Sequence, residues 1–189
     1  MLIGGFLVWI FIVQFLIDQR LKGNEKNNYK EVKLIIGKKF LTVILTGLVA
    51  SLIVPFILPI NMTGFEEISD RSLRVILGSY SILPMFFYGG LLIYGLPVSL
   101  LIDIFIKRLE GINRDIASFV LYVVSSIPIF YIAPLFGIYS LCLAIIFSIV
   151  ETIIIRLNVK YYWKCFFVFT AIAIVVWFTF IKINYNFLS

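Results

Sequence analysis

Residues 137–155 read GIYSLCLAIIFSIVETIII, and this stretch decides the class of fold. It carries one charge, Glu151, with Arg156 following at once. As an α-helix, 19 residues rise about 28 Å. That nearly matches the roughly 30 Å hydrocarbon core of a bilayer, so the stretch predicts a membrane-spanning helix that holds an acid near one end.

Comparable apolar runs recur along the whole chain. Of its 189 residues 62% are hydrophobic and 14% charged, and the mean hydropathy is +1.09. A soluble domain of this length needs far more polar surface, so the composition predicts an all-α, integral membrane helical bundle. A membrane β-barrel would show alternating polarity over segments of about ten residues, and that dyad pattern is missing from the sequence.

Six spans are expected, at 2–17, 40–61, 75–102, 116–134, 137–155 and 165–181, within a single multi-pass domain covering 1–189. The first run starts at Met1 and is followed by cations rather than preceded by them, which does not read as a cleaved signal peptide. It is short and contains Gln14. If it lies on the membrane surface instead, five spans remain and the N-terminus moves inside.

Orientation follows from the loop charges. Segments 18–39, 103–115 and 156–164 hold 13 of the 16 Lys and Arg, whereas 62–74, 135–136 and the tail from Lys182 hold three. The positive-inside rule then makes 18–39 a basic cytoplasmic loop and leaves both termini outside. This loop is expected to meet anionic lipid headgroups. Nucleic acid is not an expected partner, since three acids dilute the cations and only Tyr29 and Phe40 offer stacking. Tyr161, Tyr162, Trp163 and Trp177 fall near predicted helix ends and read as interface anchors.

Charges within apolar runs are costly and therefore informative. Glu151 admits two readings: a proton-relay or cation site, or an acid near the inner interface neutralised by Arg156 or by a cation on a neighbouring helix. Asp103 stands in an analogous place. IDIFIKRL (102–109) and VETIIIRL (150–157) share acid-x-x-x-x-Arg-Leu, so that Asp103 and Arg108 align with Glu151 and Arg156. The alignment suggests a duplicated helical hairpin, although snorkelling and local pairing at a boundary favour the same pattern. Pro84, Gly89, Gly90, Gly95 and Pro97 interrupt the third run, which predicts a tilt, kink or break there.

Two resemblances bear on function. In GFEEISDRSLR (64–74), Glu66, Glu67 and Arg71 form E-E-x-x-x-R, which resembles the first motif of intramembrane metal-dependent proteases of the prenyl-protein-processing and bacteriocin-immunity type. Those enzymes work through histidines, the chain has no His, and the motif falls in a predicted outer loop. The enzyme reading is rejected on those grounds; Thr63 and Glu66 fit a helix capping box instead. In IYGLPVSLLIDIFIKRL (93–109), Tyr94, Gly95, Pro97 and Ser99 resemble a segment of a family of small, uncharacterised multi-pass membrane proteins of Gram-positive bacteria. That resemblance implies a bacterial plasma-membrane protein and no known activity.

The expected function is therefore non-enzymatic, with no cofactor or metal site. The expectation is a multi-pass plasma-membrane protein of unassigned biochemical role; the alternatives are a small-solute or ion transport component using Glu151 and Asp103, and a partner-binding immunity or sensory subunit. Cys142 and Cys165 read as small buried hydrophobes. Reporter fusions after residues 28, 68, 110, 160 and 189 should read in, out, in, in and out; a cytoplasmic signal at 68 overturns the orientation.

Overall fold

A computed structural model describes residues 25–60, 73–106, 108–157 and 161–188. The expected first span, 2–17, and the Glu66, Glu67 and Arg71 motif lie outside them. Among the described residues every regular element is helical: α1 (Glu25–Ile57), α2 (Leu73–Gly90), a π-helical turn (Leu91–Gly95), α3 (Leu96–Phe105), α4 (Gly111–Ile132), α5 (Pro134–Leu157) and α6 (Tyr162–Leu188). Because α2, the π turn and α3 form one continuous rod, five helices are long and apolar enough to cross a membrane.

The rods alternate in direction, and α1 is the hub. It packs against α2, α3, α5 and α6, while α4 packs mainly on α5 and also on α3. Of the most apolar window in α1, 56% of the residues are buried in the bundle, compared with 6% in α6. The remaining faces carry Leu, Ile, Val and Phe outward, among them Phe105, Ile116, Val124, Phe167 and Val175. Such a surface is stable against hydrocarbon but not against water.

Helix ends follow local chemistry. Proline disfavours helical geometry in the residue before it, so Pro134 holds Ala133 extended (φ −151°, ψ 90°) and compresses the α4–α5 turn to that single residue. Pro134 then opens α5, where its missing N–H is harmless. The spans expected at 116–134 and 137–155 accordingly become 111–132 and 134–157. Gly111, at φ 60°, turns the chain into α4. The basic segment expected at 18–39 is helical from Glu25 onward, continuous with α1.

The rod formed by α2, the π turn and α3 is continuous rather than broken. Its buried positions run Leu83, Phe87, Leu91, Leu96, Leu100, and the one five-residue step coincides with the π turn. There the Leu96 N–H donates to Leu91 O, five residues back. Pro97 has no N–H of its own, which loosens the ladder at this point. The extra residue rotates α3 relative to α2 and sets which side of α3 faces α1.

Close approach of α1 and α2 depends on Gly47, where a Cβ would overlap the Tyr88 ring. Gly47→Ala should lower stability by about 1–3 kcal/mol, as overpacking does. Combining it with Tyr88→Leu should restore part of the loss in denaturation of the detergent-solubilised protein.

Candidate functional site

Four rods bring charged and polar side chains together at one end of the bundle. Lys39, early in the apolar part of α1, is only 4% exposed. A lysine so deep in an apolar bundle requires partners on every side, since burying an unpaired ammonium costs several kcal/mol even after relaxation. The partners are present. Lys39 Nζ lies 3.0 Å from Asp103 Oδ2 on α3 and donates to the Ser99 carbonyl oxygen at 3.2 Å. It also donates to Glu151 Oε1 on α5 in a close ion pair. The second Glu151 oxygen accepts from the Tyr122 hydroxyl of α4 at 2.6 Å. Glu151 is 5% exposed and Tyr122 3%.

Arg114, on α4, stands 3.6 Å from the other Asp103 oxygen and is partly exposed. Two cations and two carboxylates thus form one neutral network joining four rods. Beside it opens a cavity of about 290 Å³, lined by Ile35, Lys38, Lys39, Thr42, Asp103, Arg114, Glu151, Ile154 and Ile155. Lys38 points elsewhere for its partner, lying 5.4 Å from the centroid of the Tyr162 ring. The Thr42 hydroxyl is tied to the Lys38 carbonyl at 3.0 Å.

The four candidate residues separate clearly. Glu151 and Asp103 meet on one ammonium, which realises the reading in which a cation on a neighbouring helix neutralises Glu151. Arg156 does not serve Glu151; it extends to Asp115 on α4 at 2.6 Å, in an exposed pair. Five residues along a helix place Arg156 well around the axis from Glu151, so a helical neighbour cannot reach inward. Arg108 is exposed and has no ion pair among the described residues.

Lys39, Tyr122, Ser99 and Arg114 are functional candidates that sequence reasoning missed. With the apolar run starting at 40, Lys39 reads as a loop cation. Ile35, Ile36 and Leu34 before it were the available signal. Tyr122 belongs to a buried polar stripe with Ser118 and Ser126, at four-residue spacing along one face of α4.

The aromatic residues divide as well. Tyr161 is 66% exposed and Trp163 40%, as interface anchors would be. Tyr162, by contrast, is buried against Leu41 and Ile154, and Trp177 donates its Nε1–H to the Ser81 carbonyl at 2.9 Å inside the bundle. Cys142 and Cys165 are both free thiols, partly buried.

The architecture is that of an all-helical bundle whose five rods are long and apolar enough to cross a membrane, with a buried ion network at one end. No family model matches the chain, and no curated protein or solved structure matches it either. Its chemistry is therefore argued from the side chains themselves. Lys39→Met, which leaves two buried carboxylates short of their cation, should cost about 3–5 kcal/mol of stability in mild detergent. Arg156→Met, at a pair whose arginine is 69% exposed, should cost no more than about 1 kcal/mol.

Proposed function

We propose that the protein is a multi-pass plasma-membrane component that moves a small solute or ion and performs no covalent chemistry. One observation carries the reading: a buried lysine, a buried glutamate and a half-buried aspartate, contributed by three different rods, meet beside a cavity. Ionisable groups inside membrane helices are expensive, and where they line a cavity they most often serve a permeating or relayed species. A bundle that needed only stability would do as well with apolar residues of similar volume, because a buried ion pair contributes little net stability. The π turn supports the same reading, since broken or loosened helices build midplane and vestibule sites in transporters.

The cation-rich connections support an orientation with the Lys39 end of the bundle toward the cytoplasm, in which the cavity is a cytoplasm-facing vestibule. The Tyr94-Gly95-x-Pro97-x-Ser99 resemblance adds a bacterial plasma membrane as the location. That segment begins in the last two residues of the π turn and supplies the Ser99 carbonyl to Lys39.

The test is flux across proteoliposomes for a panel of monovalent cations, small anions and protons. Glu151→Gln and Asp103→Asn should each abolish the flux found with the unaltered protein while leaving the amount reconstituted unchanged. Full flux through the Glu151→Gln protein would remove that carboxylate from the mechanism.

A further inference from the structure

We propose that the oxygens surrounding Lys39 Nζ form a monovalent-cation site in which the Lys39 ammonium is the resident, tethered occupant, and that a free cation takes the same place when Lys39 swings into the adjoining cavity. This inference deepens the transport reading by naming the class of the permeating species.

Coordination is the first support. Around Nζ stand Asp103 Oδ2 at 3.0 Å, the Ser99 carbonyl oxygen at 3.2 Å and Glu151 Oε1. Carboxylate and carbonyl oxygens from separate helices are the ligands that replace the hydration shell of an alkali cation. A carbonyl oxygen has two lone pairs and can serve a helix and a cation together. The Tyr122 hydroxyl, donating to Glu151 Oε2, holds that carboxylate with its other oxygen aimed at the site.

Charge is the second support. With Lys39 in place, Asp103 and Glu151 are balanced by Lys39 and Arg114. Lys38, the other cation on the cavity, is engaged with the Tyr162 ring. Once the ammonium has swung to the solvent side of the cavity, where water screens it, the oxygens it leaves lack one positive charge at contact distance. One monovalent cation makes that good, and a divalent cation overshoots it.

Space is the third support. Lys39 itself lines the cavity, whose volume of about 290 Å³ accommodates several waters at roughly 30 Å³ each. A flexible four-carbon stem lets the ammonium retreat there, and the same opening admits a partly hydrated ion.

Binding is tested on the full chain in lipid nanodiscs with radiolabelled sodium and rubidium as probes, in choline chloride at constant ionic strength. Lys39→Met should bind one of these ions saturably and tighter than the unaltered protein by about tenfold or more, and adding Glu151→Gln should remove the gain. A folded Lys39→Met protein that binds neither ion overturns the proposal. Should Lys39→Met fail to assemble, the unaltered protein decides. Acylation of Lys39 by an amine-reactive reagent, mapped by peptide mass, should rise several-fold when sodium or potassium replaces choline. Equal acylation in all three salts overturns the proposal. A chain that binds the cation yet supports no flux would refute the transport reading and leave this site standing.

Discussion

One ammonium buried between two carboxylates sets the terms for the rest of this protein. Lys39, Asp103 and Glu151 arrive from three rods, and none is tolerable in an apolar interior without the others. Their mutual requirement pins the Lys39 turn of α1 to α3 and α5, and Tyr122 adds α4 through its bond to Glu151. Apolar packing alone would not specify this so tightly. Hydrocarbon side chains in a bilayer gain little by meeting each other instead of lipid, so helix association there leans on close packing and on polar contacts.

The opposite end of the bundle is held differently. Ser79 exchanges hydrogen bonds with the Ile60 backbone, Tyr139 donates to the Leu58 carbonyl, and Trp177 and Asn184 of α6 reach Ser81. These are neutral bonds to backbone or hydroxyl groups, with no charge among them. The contrast gives the molecule a polarity along its long axis: one end is tied by uncharged bonds, while the other concentrates its buried charge beside a cavity. Between them, the Thr46 and Ser51 hydroxyls of α1 are buried without a hydrogen-bond partner among the described residues. They mark polar positions further along the same helix.

The π turn connects the two ends. Had α2 continued as a regular helix through Leu91–Gly95, every residue after it would sit about 100° away from its present direction, following the angular step per residue. Ser99 and Asp103 would then leave the face that meets Lys39. Pro97 and the flanking glycines are visible in the sequence as interruptions. Their consequence is a change of register, by which a local loosening of hydrogen bonds determines whether a carboxylate about 13 Å of helix away from Tyr94 meets its cation.

Sequence by itself determined the helical membrane class, the approximate positions of five spans, and two of the acids that matter. Run length and hydropathy are properties of contiguous residues, and a charge in an apolar run is conspicuous wherever it falls. It offered Arg156 as one of two neutralising partners for Glu151, whereas the structure gives Arg156 to Asp115. Lys39 was misplaced because a lysine at the edge of an apolar run looks the same whether it snorkels to water or turns inward. Only the tertiary structure decided that. The direction in which a boundary residue points depends on which helices pack around it, and the convergence of Lys39, Asp103, Glu151 and Tyr122 joins positions up to 112 residues apart. Such a meeting is fixed by helix register and packing, which no local pattern encodes.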